Sequence, residues 1–277
     1  MSLRVRVDTK GNYRAIFLDG NILRSKLYQS MRAGTPDTPE SEEVSIVSSL
    51  GVDYSGIVEK AKDIWGTLPA HRRPFSILLS EMGESTKHTD WISFVRAVHS
   101  LDIAVHYNTN GMYLSPDIVK ATEDYCAGVT LFYYSHMPVT FTAAVDKIGK
   151  IPDILFNCAI TVNTSSALTN VKDLFNKYKD VFDFFIISPY SVPMVTSSSE
   201  TESAWKDLLL WVGLLPEERR SQFYFSPMSK SLLEKHKEIF PMVLYDPEVF
   251  HGYRMLDDSY NVLRNSRFVL TPKSSTL

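Results

Sequence analysis

The sequence predicts an α/β protein built on a sheet of parallel strands, and three observations carry that prediction. Short β-rich runs alternate with helix-length segments, at Tyr13–Asp19, Phe75–Ser80, Ile103–Asn108, Val129–Tyr134, Ile154–Val162 and Phe184–Ser188. Several runs, such as FSILLS and FFIIS, are almost continuously apolar, as strands covered on both faces must be. The segments between them carry apolar residues at helical spacing. Six alternations in order argue for a parallel sheet with right-handed crossovers. Periodicity leaves open whether the sheet curls towards a barrel.

Each element has a local reason. Tyr13–Asp19 (YRAIFLD) is the first expected strand of the sheet. Residues 33–50 (AGTPDTPESEEVSIVSSL) are rich in Pro, Ser, Thr and Glu and read as a mobile insertion. Asp90–Ser100 places Trp91, Phe94, Val95 and Val98 on one helical face, and Leu168–Val181 does the same with Val171, Leu174, Phe175 and Tyr178. Ser115-Pro116-Asp117 reads as an N-cap followed by proline at the first helical position. Residues 191–204 read as a second loop. An amphipathic helix (Trp205–Leu214), an aromatic run (Gln222–Ser226), a helix near Ser229–Phe240 and a short run (Met242–Tyr245) follow. This divides the chain into a body over 1–190 and a C-terminal extension over 191–277 packed on it.

Composition narrows the function classes. With 277 residues and 44% apolar residues, the chain can bury a sizeable core. A net charge of −3 gives no support for a nucleic-acid footprint. No apolar run approaches the roughly 20 residues that span a bilayer. The start MSLRVRVDTKG has no apolar stretch of a secretory signal. Two cysteines, Cys126 and Cys158, argue against a disulfide framework or zinc ribbon, and a cytoplasmic setting is expected. Neither phosphate-cradling glycine motifs nor GxSxG or HExxH phrases occur.

Three phrases stand directly after successive expected strands. These are Gly20–Tyr28 (GNILRSKLY) after the first, Met82–Thr86 (MGEST) after the second, and Asn108-Thr109-Asn110-Gly111 after the third. Parallel α/β proteins build their sites at the carboxyl ends of strands, where loops converge. In this order the phrases resemble the radical S-adenosylmethionine (radical SAM) superfamily. There the first strand leads into a C-x₃-C-x₂-C loop, the second ends in a GGEP-like motif, and the third often ends in NTNG. The resemblance covers roughly residues 13–190 and implies a partial (β/α)6 barrel of parallel strands with a C-terminal extension.

The same resemblance assigns candidate residues. Laying Leu23-Arg24-Ser25-Lys26 on the family's L-R-C-K puts Asn21, Ser25 and Tyr28 at the three cysteine positions. None is a thiol, and thiolate is the ligand that suits an iron–sulfur cluster, so no cluster is expected. Gly83, Glu84 and Ser85, Asn108 and Asn110, Ser135, Asn163 and Ser188 are the candidate S-adenosylmethionine-binding set. Each has a plainer reading. Glu84 is either a ligand acceptor or an anion near a helix start. Gly83 and the NTNG residues are either mouth-lining or turn-forming. His136, after the fourth strand, is either an acid–base group or a loop residue. Asp257-Asp258 reads as a helix cap before Ser259–Arg264, and Phe223-Tyr224-Phe225 as core or interface.

Three function classes follow. The first is a pseudoenzyme that binds S-adenosylmethionine or a related nucleoside weakly, or acts through a protein partner. The second is a barrel enzyme with cluster-independent chemistry at Glu84, Asn108 and His136. The third is a structural subunit of a larger assembly.

Overall fold

Seven strands of the main sheet lie side by side in chain order, and this one fact settles the architecture. The structure, a computed structural model, describes residues 84–101, 103–152, 154–189, 198–220, 222–225 and 229–236, together with strands in the flanking regions. Those of the main sheet are β4 (Glu43–Ile46), β5 (Ser76–Leu79), β6 (Ala104–Thr109), β7 (Cys126–Phe132), β8 (Leu155–Thr161), β9 (Phe184–Ser188) and β10 (Phe223–Phe225), each parallel to the next. β11 (Arg254–Leu256) joins beyond β4 in parallel, and β12 (Val262–Arg264) closes that edge antiparallel. A doubly wound sheet reverses its strand order at a switch point. This sheet does not between β4 and β10, so its right-handed crossovers all lie on one face. That is the winding of a (β/α) barrel.

The helices are α1 (Trp91–His99), α2 (Pro116–Tyr125), α3 (Pro138–Ile148), α4 (Ser165–Tyr178), α5 (Ser199–Gly213) and the short α6 (Glu217–Arg220) and α7 (Lys230–Lys235). Their starts follow local chemistry. Ser115 caps α2 by accepting from the Ile118 N–H at 3.3 Å, with Pro116 at the first position. Thr164 caps α4 through Ala167 N–H at 3.2 Å, three residues before the expected start. The apolar faces expected from spacing are the buried ones: Trp91, Phe94, Val95 and Val98 on α1, and Val171, Leu174, Phe175 and Tyr178 on α4.

One large core fills the space between helices and strands, with Val105, Tyr107, Val129, Leu131, Phe156, Cys158, Ile160, Phe185 and Ile187 as the strand side. Ala104, Ala127 and Phe184, with Leu155 against them, form a smaller cluster. Because side chains alternate along a strand, that cluster marks the opposite, concave face. The register slips between Val105 and His106, which pair with Cys126 and Gly128 and leave Ala127 as an extra, bulged residue.

Four elements differ from the sequence reading. Tyr13–Leu18 is the middle strand, β2, of a separate antiparallel sheet, between β1 (Leu3–Asp8) and β3 (Asn21–Lys26). The reason is in the sequence. LRVRV alternates with period two, the pattern of a half-solvated antiparallel strand, and the two residues between the paired Leu18 and Asn21 are Asp-Gly, a strong hairpin signal. Secondly, β4 lies inside the stretch 33–50; four residues set among polar ones are too few for a period to show. Thirdly, Val262–Arg264 is a strand where a short helix was expected. Lastly, α5 and β10, beyond residue 190, add a further unit to the same sheet and core. Asp257, Asp258 and Met242–Tyr245 lie outside the described residues.

Candidate functional site

Glu84 organises the carboxyl ends of β5 and β6. It stands just before a 3-10 turn, Ser85–Lys87, and is only 9% exposed. Its Oε1 accepts from the Thr86 hydroxyl at 2.5 Å and from the Thr109 hydroxyl at 2.6 Å, and its Oε2 accepts from the Asn110 N–H at 2.6 Å. Ser85 Oγ donates to the Asn108 carbonyl at 3.3 Å. The MGEST phrase is thus buttoned to the NTNG phrase by short, charge-assisted bonds. A carboxylate oxygen accepts about two hydrogen bonds, so Oε1 is filled and Oε2 keeps one acceptor place.

The NTNG residues shape the rim. Asn110 Oδ1 accepts from the Met112 N–H at 2.9 Å, an Asx-type turn, and Thr109 Oγ1 accepts from the Gly111 N–H at 3.0 Å. Gly111 has φ 83°, and a Cβ there would stand 2.6 Å from Ala144 Cβ on α3. Both the left-handed backbone and the close approach demand glycine. Gly111→Ala is expected to cost about 3 kcal/mol, combining left-handed strain with overpacking. A denaturant midpoint within experimental error of the parent would contradict this reading.

The loop after β7 comes over the same carboxylate. Burial first, and then the negative charge of Glu84, push the Tyr134 phenol above its usual pKa, so that ring lies in the field of Glu84. Tyr134 stacks on Phe132 at 6.4 Å and leans on His136 at 5.7 Å. Ser135 and His136 themselves are exposed in that turn. Further along the same end, the Ser188 carbonyl accepts from Val162 N–H at 2.8 Å, and the carbonyl of the exposed Asn163 accepts from Thr201 Oγ1 at 3.1 Å. The structure therefore locks Glu84, Ser85, Asn108 and Asn110 together and sets Ser135, Asn163 and Ser188 beyond the carboxyl ends of β7 and β8 and at that of β9. Gly83 lies outside the described residues.

The alignment of the cysteine positions is corrected. Asn21 and Ser25 belong to β3, opposite Leu18 and Arg14 in the antiparallel sheet, and Tyr28 lies outside the described residues. The strand that precedes β5 in the parallel sheet is β4, so the loop after the first barrel strand begins at residue 47; residues 47–75 contain no cysteine. The two cysteines of the chain sit on β7 and β8, 2% and 0% exposed, in the core against the helices. Two thiols so placed do not fit a three-thiolate cluster. Burial pushes the Cys158 thiol well above its usual pKa, so its thiolate is scarce at neutral pH. A thiol reagent at mildly alkaline pH is expected to label neither cysteine in the native protein and both after denaturation; fast native labelling would refute this burial.

Sequence reading missed a second set of polar residues, those on the concave face. His106, Thr130 and Asn157 lie there on β6, β7 and β8, in phase with Asn108. The His106 ring lies over Gly128, where any Cβ would collide with it. The available signal was polar residues two apart in otherwise apolar strands, as in AVHYNT and CAGVTLF.

No family model matches the chain, and no curated protein matches it in sequence. Solved structures do. Streptococcus suis SuiB bound to its precursor peptide SuiA matches at a TM-score of 0.57 and 14% identity, over 84% of this chain and 61% of that one. SuiB bound to S-adenosylmethionine matches at 0.58 and 14%, over 86% and 60%. The enzyme anSMEcpe, with bound AdoMet and the Cp18Cys peptide, matches at 0.51 and 13%, over 82% and 75%. The chain spans about three fifths of the length of those two SuiB chains. Among the described residues no helix is long and apolar enough to cross a membrane, and no group of three or more His, Cys, Asp or Glu lies together. At these identities the likeness is one of fold, and the chain carries the radical-SAM-like fold, a partial barrel of parallel β/α units.

Proposed function

We propose that the chain is a radical-SAM-like binding protein without a cluster, a pseudoenzyme that takes S-adenosylmethionine or a related nucleoside weakly at the carboxyl end of its barrel. The observation that carries this reading is the Glu84 lock, which holds a buried carboxylate with one acceptor place left at the mouth while the loop after β4 offers no thiol. A cluster of the family's kind would supply reductive cleavage of the cofactor; the residues present do not fit it, and no step runs through it. A cluster-independent enzyme is less well supported, because Glu84 already spends three hydrogen bonds internally and His136 is exposed in a turn. Two free buried thiols agree with a cytoplasmic setting.

The solved relatives support the ligand class, since two of those described hold S-adenosylmethionine. Without an open iron to chelate the amino and carboxylate groups, a few net hydrogen bonds of roughly 1 kcal/mol each must offset ordering and association costs. Calorimetry is expected to give a dissociation constant on the order of 0.1 mM or weaker. Glu84→Gln should weaken it about tenfold, through loss of one charge-assisted contact. Tight binding untouched by Glu84→Gln would place the ligand elsewhere, and silence at millimolar ligand would end the nucleoside reading. Exposed Met112 and Tyr113 beside the mouth favour, in that event, a peptide partner, the class of molecule seen on SuiB.

A further inference from the structure

On the concave face the strands align in rows. Asn108, Thr130, Asn157 and Phe184 are one row, and Phe132, Ala159 and Ile186 the next towards the mouth. Asn157 lies four residues below Thr161, the end of β8, or about 13 Å deep at the rise of a strand. It is 9% exposed, and its Oδ1 is buried with no hydrogen-bond partner among the described residues. Phe156 and Cys158 on either side belong to the helix-facing core, so alternation aims Asn157 at the concave face.

Three further observations describe what would meet that carboxamide. The row is not filled: Thr130, Phe132 and Ile186 are only half-buried, although helices cover their strands from the other face. The row is uncharged: β5 to β9 contain no Lys, Arg, Asp or Glu, so a charged group at this depth would find no countercharge. Its flanks are apolar, with Phe184 beside Asn157 on β9. A side-chain carboxamide offers an acceptor and donors in one plane. Its natural complement is another neutral amide, which satisfies both at once.

We propose that Asn157 forms the floor of a second ligand site on the concave face, where its carboxamide pairs with a neutral amide of the ligand, a carboxamide or a peptide bond, between Thr130 and Phe184. The site lies below the Glu84 rim and stands independently of the nucleoside reading. It can bind an amide whether or not S-adenosylmethionine binds above it.

Two measurements on the full chain test this. The first is thermal stability of Asn157→Leu, a near-isosteric change. A carboxamide held ready for a ligand is unsatisfied in the free protein, so leucine should leave the melting temperature unchanged or raise it. A clear fall, or failure to fold, would show that Asn157 serves the fold and overturn the proposal. The second is a titration of protein labelled with ¹⁵N-asparagine, using N-methylacetamide and its ester counterpart methyl acetate, each to about 0.1 M, the range expected for fragments this small. The side-chain N–H₂ signals of Asn157, identified by their loss in Asn157→Leu, should move about fivefold further with the amide, the worth of one net hydrogen bond. Equal shifts with both probes, or none with either, would overturn the site. Calorimetric silence towards S-adenosylmethionine would leave these results standing.

Discussion

Replacing Glu84 by alanine is expected to destabilise the protein by roughly 3–5 kcal/mol, a large share of the stability a domain possesses. The carboxylate accepts from Thr86, Thr109 and the Asn110 N–H within a buried environment. Alanine removes all three acceptor contacts. The two hydroxyls can rotate to other acceptors, but the Asn110 N–H is fixed by the backbone and is left without its partner. Glu84→Gln should cost about half as much, because its carbonyl end can still serve the threonines while its N–H₂ end faces another donor. Denaturant midpoints at constant m-value decide the matter. A cost below about 1 kcal/mol for Glu84→Ala would mean that the carboxylate is a ligand-facing group and not a lock. Because the lock also shapes the rim, nucleoside binding should disappear in the alanine variant.

The second large effect is expected at Trp205. This side chain is 0% exposed, and its indole N–H donates to the Val162 carbonyl at 2.7 Å, joining α5 to the end of β8. Trp205→Ala should cost about 3–5 kcal/mol, the range for deleting a buried aromatic. Trp205→Phe keeps most of the packing but leaves the Val162 carbonyl unpaired, and should cost about 1–3 kcal/mol. The larger consequence concerns cooperativity. Ala204, Leu208, Leu209, Val212, Phe223 and Phe225 share one core with the barrel strands, and β10 pairs with β9. Unfolding of both variants should therefore remain a single transition, and a chain ending at residue 190 should not fold. A two-step transition in which only the first step responds to Trp205→Ala would mean that residues beyond 190 fold as a separate unit.

Much of the barrel was legible because it is written in local patterns. Buried strands show as apolar runs, and the helix faces with Trp91, Phe94, Val95 and Val98, or Val171, Leu174, Phe175 and Tyr178, show as helical spacing. Ser115-Pro116 announced a helix start because capping involves residues only three apart. The absence of a third cysteine needed no structure at all. What failed was order in space. Tyr13–Leu18 is an apolar run like the others, but its partners are its own hairpin neighbours, and the first barrel strand is the four-residue β4, too short to display a period. Strand pairing is a contact between distant residues, and no window of sequence contains it.

The site divides in the same way. The residue types at the strand ends, MGEST and NTNG among them, come from sequence, since turns and strand ends select them locally. Whether Glu84 serves a ligand or the protein depends on Thr109 and Asn110, 25 and 26 residues away, which only the β5–β6 pairing brings to its carboxylate. Likewise Asn157 reads in sequence as a polar interruption of an apolar strand. It becomes an unpartnered group on a concave face only when β7 and β9 pack beside it in register and the helices take the other side, because burial belongs to the assembled sheet and not to the residue.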